Sequence, residues 1–212
     1  MKIIYLANVR MPTEKAHGYQ IVRTAAAMVA LGADVELVVP KRRNPKLGGE
    51  DVFAYYGVSQ RFPIRRLANL DLIRGKMSRF VGPFAFWVQT WTFARAVQRY
   101  LRSAEADWIY GRDELFLDQL RELPSGARLA VELHALPSAR YAKFLQRADR
   151  IVVISRSIHE GLMRQGIAEQ KIVVAPDAVD LGVYREMSDK AVARKQLGFS
   201  ADGHLAVYTG HP

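Results

Sequence analysis

Apolar residues along the chain form short β-branched runs that alternate with stretches of helical periodicity. Six runs predict buried strands, at residues 3–7, 35–39, 107–110, 129–133, 151–154 and 172–175. The stretches between them predict amphipathic helices at residues 19–31, 84–102, 113–122, 138–147 and 156–165. This alternation indicates the α/β class, as a Rossmann-like parallel sheet with helices on both faces.

Two parts of the chain depart from this regular alternation. Residues 41–81 contain loop signals, and the apolar run at 53–58 predicts a further strand. After residue 180 the pattern predicts a connector, a short helix at 189–197 and a new strand at 205–208. We therefore expect one domain at residues 1–180, and a connector with the first strand of another α/β domain at 181–212.

The positive charge of the chain is concentrated in one segment. The formal net charge is +10, and residues 41–102 hold 13 Lys and Arg against three acidic residues. The remaining residues are formally neutral. A concentrated basic segment predicts an anionic partner, which leaves nucleic acid, anionic lipid and a phosphorylated substrate open.

The composition also bears on location. Cysteine is absent, which excludes disulfides and fits a cytoplasmic protein. No stretch of about 18 apolar residues is uncharged, so that no membrane-spanning helix is expected. The first residues have neither the apolar region nor the cleavage site of a secretory signal. We expect a cytoplasmic location, with membrane association as an alternative raised by the basic segment.

Several familiar motifs of enzymes are missing. The first strand is not followed by G-x-G-x-x-G, and the sequence has no P-loop, no Asp-x-Asp pair and no G-x-S-x-G elbow. Five scattered histidines without cysteine do not predict a structural zinc site. These absences argue against dinucleotide-binding dehydrogenases, P-loop NTPases and serine hydrolases of the α/β type.

The candidate site residues follow predicted strands, where parallel sheets bind ligands. Gly18 follows the first strand, where it either admits a phosphate or sugar to the backbone or simply permits a turn. His134 follows the strand at 129–133 and could bond a sugar hydroxyl or balance charge, or have only a structural role. Arg112 and Asp113 end another strand and could contact a polar acceptor, although Asp113 also suits a helix N-cap.

The basic segment contains aromatic residues among its cations. Its cationic residues are Arg61, Arg65, Arg66, Arg74, Lys76 and Arg79. They alternate with Phe62, Phe80, Phe84, Phe86, Trp87 and Trp91. This mixture is typical of an interfacial membrane contact or of single-stranded nucleic-acid binding. Alternatively, the tryptophans belong to the core and the arginines to a solvated face.

Several segments, in order and spacing, resemble the family 4 glycosyltransferases, which are retaining enzymes of the GT-B fold. The family's first βαβ unit is similar to KIIYLA at 2–7, EKAHGYQI at 14–21 and LGADVELV at 31–38. VELH at 131–134 resembles the strand that carries the family's active-site histidine. ADRIVVIS at 148–155 and KIVVAPDAVD at 171–180 resemble the stretch before its interdomain linker.

The resemblance implies a fold and a set of roles. The chain would be the N-terminal, acceptor-side lobe of a GT-B fold, and a nucleotide sugar would be the donor, with no metal or other cofactor. His134 would lie near the transferred sugar, and Gly18 would face the donor diphosphate. His17 and Gly18 occupy the place of the family's double glycine.

The resemblance also implies partners. The family's second lobe and its Glu-x7-Glu motif are not in this sequence, so we expect the chain to be inactive by itself. One alternative is a membrane-docking or acceptor-binding subunit that works with a separate C-terminal lobe or as a homo-oligomer. A nucleic-acid-binding α/β domain is the other alternative, and nucleic acid is ranked last among the partners.

Overall fold

A computed structural model describes residues 1–42, 44–72, 78–184, 189–200 and 202–208. The chain divides into two compact units, Met1–Pro176 and Asp177–Pro212. The division lies four residues before the boundary expected at residue 180. The candidate site belongs to the first unit.

The first unit is built on one parallel sheet of seven strands. The strands are β1 (Lys2–Leu6), β2 (Asp34–Pro40), β3 (Ile64–Leu67), β4 (Trp108–Gly111), β5 (Arg128–Leu133), β6 (Arg150–Val153) and β7 (Ile172–Val174). Their order across the sheet is β3-β2-β1-β4-β5-β6-β7. The six strands predicted at regular intervals are confirmed within one or two residues, and the order is that of a doubly wound fold.

Helices connect the strands and continue into the second unit. They are α1 (Ala16–Ala30), α2 (Val52–Tyr55), α3 (Ser78–Leu101), α4 (Glu114–Leu117), α5 (Ala142–Arg147), α6 (Arg156–Arg164), α7 (Leu181–Tyr184) and α8 (Lys190–Gln196). Local signals in the sequence end α1 and begin α6. Gly32 follows α1 with φ at 86°, and the Ser155 hydroxyl accepts the N–H of Ile158 at 3.4 Å.

Alternate residues of the strands enter two separate cores, because successive side chains point to opposite faces. Ile4 and Leu6 pack in the core covered by α3, α4, α5 and α6. Ile3 and Tyr5 pack in the other core, under α1 and α2. The predicted layering, with helices on both faces, is confirmed.

The segment after β2 differs from its prediction. Residues 53–58 were expected to form a strand, and that prediction is wrong, because Val52–Tyr55 is one helical turn. Asp51 caps this turn by accepting the N–H of Ala54 at 2.8 Å. Val52, Phe53 and Tyr56 are buried on one side of it, and Gly57 ends it with φ at 61°.

Strand β3 was not predicted from the sequence. It pairs in parallel with β2 and lies at the edge of the sheet, where Leu37 is opposite Ile64. Two arginines stand in its centre, so that it lacks the apolar alternation of an ordinary strand. An edge strand tolerates such residues because charges there prevent pairing with other chains.

Two further elements are shorter than expected. The helix predicted at 113–122 ends at Leu117, because the Gln98 side-chain carbonyl accepts the N–H groups of Arg121 and Glu122 at 2.8 and 3.2 Å. The predicted strand at 205–208 is not formed, and the strands of the described residues all belong to the sheet of the first unit. Its prediction was wrong because a strand requires ladder hydrogen bonds to a neighbour.

Candidate active site

The candidate site lies at the carboxyl edge of the sheet, beside the point where the strand order reverses. β1 lies between β2 and β4, so the chain leaves β1 towards one side of the sheet and returns at β4 on the other side. Crevices of this kind bind ligands in open α/β sheets. Residues after β1, β4 and β5 therefore meet there.

His134 follows β5 and is held by a buried carboxylate two residues earlier. Its Nε2 contacts Oε1 of Glu132, and the Tyr110 hydroxyl donates to Oε2 of the same carboxylate. The Glu132 side chain is 7% exposed and the His134 side chain is 24% exposed. His134 thus combines a fixed position with access to solvent.

Gln20, on α1, connects His134 to Arg112. Nη1 of Arg112 donates to the Gln20 side-chain carbonyl at 2.9 Å. Because that carbonyl faces the guanidinium, the amide nitrogen of Gln20 is directed towards His134, whose Nε2 lies 3.4 Å away. The structure thereby joins two predicted site residues, His134 and Arg112, through a residue that the sequence did not indicate.

His17 and the start of α1 lie beside Arg112. Burial lowers the pKa of His17, and the positive charges of Arg112 and Lys15 lower it further. The first turn of α1 has no acidic residue and no side-chain cap. The positive end of the helix dipole and a guanidinium therefore act on the same region, which favours negative charge there.

Gly18 is placed differently from its expectation. It is the third residue of α1 rather than a loop residue, and its N–H donates to the Lys15 carbonyl at 2.9 Å. A Cβ at this position would lie 2.3 Å from the Tyr56 hydroxyl and 2.4 Å from the Thr13 methyl. The missing side chain therefore makes room for packing within the protein, rather than for a phosphate or sugar.

Asp113 is directed inwards, away from the role of an acceptor contact. Its Oδ1 accepts the N–H of Phe116 at 3.1 Å, and its Oδ2 accepts from the Asn8 amide at 3.3 Å. Burial raises the pKa of Asp113, against the opposing effect of these hydrogen bonds. The structure favours the N-cap alternative for Asp113 and leaves Arg112 as the polar group at the end of β4.

Sequence reasoning missed Gln20, Glu132 and Tyr110. A signal for two of them was present in the spacing. His17 and Gln20 are three residues apart on one helix, and Glu132 and His134 are two apart along a strand, so each pair shares a face. Tyr110 gives no such signal, because its contact with Glu132 depends on the pairing of β4 with β5.

A second polar cluster lies at the same edge, beyond β1. Nη2 of Arg10 bonds Oδ1 of Asp71 at 2.6 Å, and the amide of Gln89 donates to the same oxygen at 3.2 Å. Arg42 donates to the Gln89 main-chain carbonyl at 3.2 Å. Burial lowers the pKa of Arg42 to about 10, although Asp71 opposes this.

Among the described residues, the cations of the predicted basic segment lie in separate places. Arg65 bonds Glu36 at 2.6 Å, whereas the next residue, Arg66, donates to the Met11 carbonyl at 3.3 Å on the other side of β3. Arg61 pairs with Asp51 at 3.4 Å beside α2. The remaining predictions fall on Arg74 and Lys76, which lie outside the described residues, and on Arg79, whose side chain does as well.

Four aromatic residues of α3 are exposed, whereas Phe93 on the same helix is buried. Phe84 is 70% exposed and Trp87 53%, so the alternative that placed the tryptophans in the core is wrong. Trp87 and Trp91 stack with ring centroids 6.2 Å apart, and the Arg95 guanidinium lies 4.8 Å from the Trp91 ring. We call Phe84, Trp87 and Trp91, which share one side of the helix, the aromatic face of α3.

Two further observations concern ligands. A cavity of about 760 Å³ lies at the opposite, amino edge of the sheet, beside Lys2, Arg102 and Asp107. It is therefore separate from the candidate site. Within the described ranges, no group of three or more His, Asp or Glu side chains is close enough to hold a metal ion.

No helix in the described ranges is long and apolar enough to cross a membrane.

Comparison with protein families gives one match. The model described as Glycosyltransferase Family 4 matches residues 18–183, which include β2 to β7 and the candidate site from Gln20 to His134. No curated protein sequence matches the chain significantly.

Solved structures show the same fold at low identity. Sucrose-phosphate synthase from Thermosynechococcus elongatus is 16% identical with a TM-score of 0.60, over 95% of this chain and 53% of that one. HepE from Anabaena, in complex with UDP and glucose, is 17% identical with a TM-score of 0.54, over 93% and 50%. The fold is the N-terminal lobe of a GT-B protein, and the chain spans about half the length of these structures.

An epimerase is also similar in fold. The UDP-GlcNAc 2-epimerase of Methanocaldococcus jannaschii is 14% identical with a TM-score of 0.54, over 82% of this chain and 46% of that one. Fold similarity therefore does not separate sugar transfer from epimerisation. The family model that matches the chain is described as a glycosyltransferase model, not as an epimerase model.

Proposed function

Because the chain belongs to glycosyltransferase family 4, we propose that it forms the acceptor-side lobe of an enzyme that transfers a sugar from a nucleotide-sugar donor. The observation that carries this proposal is the meeting of His134, Gln20 and Arg112 at the carboxyl edge of the sheet. The nucleotide sugar is a co-substrate, and the proposal includes no metal or other cofactor.

The roles follow from the charge that develops during transfer. The departing nucleoside diphosphate is an anion, and Arg112 with the start of α1 stabilises negative charge in this region. His134 is polar, positioned by Glu132 and partly exposed, which suits a hydrogen bond to the transferred sugar. His17, whose pKa is lowered, remains neutral at pH 7 and contributes a hydrogen bond rather than a charge.

A UDP-sugar is the first donor to test, because HepE was solved with UDP and glucose. The family implies retention of the anomeric configuration, which proton NMR of the product measures directly. The acceptor surface is proposed to lie around Arg112, at the end of β4. Addition of UDP to the 15N-labelled chain should shift the side-chain amide signal of Gln20 if this region binds the donor.

The chain spans about half the length of its structural relatives, and we propose that transfer requires a second lobe, in the same polypeptide or on a partner. The decisive assay compares this chain with and without that lobe against a panel of nucleotide sugars. Transfer is expected only when both are present. Transfer by the 212-residue chain alone would refute this part of the proposal. Light scattering would show whether the chain self-associates.

A membrane-docking role is the second candidate, supported by the aromatic face of α3. Trp87 and Trp91 are exposed side by side, and Arg95 next to them adds positive charge. Aromatic rings with neighbouring cations suit the interface of an anionic lipid bilayer. Of the predicted cationic cluster, Arg61, Arg65 and Arg66 lie apart, and the side chains of Arg74, Lys76 and Arg79 are outside the described part of the chain.

Vesicle sedimentation tests this second role. The chain is expected to bind phosphatidylglycerol vesicles and to bind phosphatidylcholine vesicles weakly. Replacing both tryptophans of the aromatic face by Ser should lower partitioning about tenfold or more. Leu31→Ser is the matched control, since Leu31 is 88% exposed at the end of α1. Equal loss in both variants, or binding to single-stranded DNA alone, would contradict the proposal.

A further inference from the structure

The feature that extends the proposed function is the buried carboxylate of Glu132. It lies on β5, two residues before His134 and near the rings of Tyr110 and Tyr5. Only 7% of its side chain is exposed. A carboxylate buried to this degree is costly unless it is paired and hydrogen-bonded, and its two partners show what it does.

Tyr110 can act only as a donor to this carboxylate. Burial raises the pKa of Tyr110, and the negative charge of Glu132 raises it further. The phenol therefore keeps its proton and donates to Oε2 of Glu132. Tyr5 packs edge-on against the Tyr110 ring, with centroids 4.8 Å apart, which restricts the ring's movement.

The carboxylate in turn determines the proton on His134. An ionised carboxylate only accepts hydrogen bonds, so the contact between Oε1 of Glu132 and Nε2 of His134 requires a proton on Nε2. The Gln20 amide nitrogen, at 3.4 Å, is a competing donor. The carboxylate contact is dominant, because a charge-assisted hydrogen bond is about twice as strong as a neutral one.

We propose that Glu132 is a positioning residue that holds His134 with a proton on Nε2, while Tyr110 fixes the carboxylate. With Nε2 engaged by Glu132, the ring is fixed in the orientation that it presents to the transferred sugar. This role in transfer rests on the proposed function, whereas the tautomer itself does not.

Nitrogen NMR of the histidine-labelled chain tests the tautomer directly. The chain has five histidines, and a His134→Gln variant identifies the signals of this one. At pH 8 the wild type is expected to show Nε2 protonated. Glu132→Gln should populate the Nδ1-protonated form, because its amide can donate to Nε2. Glu132→Asp keeps a carboxylate and should keep the wild-type pattern.

The matched control is Glu36→Gln, which changes the other tyrosine-bonded glutamate of the sheet and should leave the His134 signals unchanged. A wild type protonated on Nδ1 would overturn the proposal, as would a tautomer unaffected by Glu132→Gln in a variant with native circular dichroism. Should that variant not fold, the wild-type tautomer decides the question.

Kinetics of the two-lobed enzyme test the consequence for transfer. Glu132→Gln is expected to lower kcat about 10- to 100-fold, with the donor KM changed by less than about threefold. Loss of stability with unchanged kcat would indicate a structural role only. An inactive wild type would instead contradict the proposed function and leave the NMR result valid.

Discussion

Two glutamates on the sheet have similar hydrogen-bond partners but lie in different parts of the fold. Glu36 on β2 accepts the Tyr100 hydroxyl and the Nε–H of Arg65, and Glu132 on β5 accepts the Tyr110 hydroxyl and Nε2 of His134. The first cluster joins α3 to the edge strand β3. The second lies at the carboxyl edge, next to the change in strand order.

The difference lies in the second partner of each carboxylate, which is Arg65 for Glu36 and His134 for Glu132. Arg65 is a permanent cation with 49% of its side chain exposed, so its ion pair with Glu36 adds only a modest contribution to stability. His134 can hold its proton on either nitrogen, so its carboxylate selects between two chemical states. Under the proposed function, position in the fold rather than the local hydrogen bonds gives the second cluster a chemical role.

The largest expected effect comes from removing the second partner of each carboxylate in the two-lobed enzyme. His134→Ala should lower transfer about 100-fold or more, because a polar group at the reacting sugar is lost. Arg65→Ala should change the rate less than about twofold. Initial rates with a UDP-sugar measure both. Similar losses in the two variants would mean that the clusters do not differ in function.

A second expected effect concerns stability. Glu36→Ala leaves Tyr100 and Arg65 without their acceptor, and should lower the free energy of unfolding by about 2 kcal/mol. Urea denaturation of the isolated chain gives this value. Glu50→Ala removes an exposed glutamate and is expected to stay within about 0.5 kcal/mol of the wild type. No difference between the two would show that the Glu36 cluster does not stabilise the sheet edge.

The two tyrosines allow a finer comparison. Tyr110→Phe should cost about 1.5 kcal/mol and Tyr100→Phe about 1 kcal/mol or less, because a lost hydrogen bond to a charge matters more where water cannot replace it. Tyr110 is 8% exposed, and its carboxylate is the more deeply buried of the two. The reverse order in denaturant titrations would argue against burial as the cause.

The smallest expected effect is a pH dependence at the Glu36 cluster. Partial burial raises the pKa of Tyr100 to about 12, with the Glu36 hydrogen bond and charge as further causes. The folded state therefore holds this proton more tightly than the unfolded state. Its contribution to stability is complete below pH 10 and is lost as pH rises from 10 through 12.

The measurement is the stability difference between wild type and Tyr100→Phe at pH 9, 10 and 11. That difference should shrink as pH rises, because other tyrosines titrate in both proteins and cancel. A constant difference over this range would contradict the raised pKa.

The sequence predicted elements whose signals are local. The strand at 3–7 is a compact apolar run, Gly32 marks the end of α1 by its positive φ, and Ser155 caps α6 with its own hydroxyl. Such features depend on a few adjacent residues. Strand β3 could not be found in this way, because its Arg65 is satisfied by Glu36, 29 residues earlier.

The candidate site could be predicted only where its residues also have local signals. His134 and Arg112 were found because each follows a strand, which a pattern reveals. Gln20 looks like an ordinary helical residue, and its meaning appears only from a contact with a residue 114 positions away. Gly18 was found for the wrong reason, since its neighbours Thr13 and Tyr56 come from separate segments.

The packing around Gly18 has a consequence for how acceptor preference could diverge. The Tyr56 hydroxyl receives the N–H of Thr13 at 2.8 Å and donates to the carbonyl of the same residue at 2.8 Å. The loop after β1 is thus fastened to the short helix α2, on a segment with no contact to His134 among the described interactions. In the proposed enzyme, a substitution or insertion near Tyr56 would shift that loop and, through it, the start of α1 three residues after Thr13. A lineage would then change its selectivity through a segment outside the site.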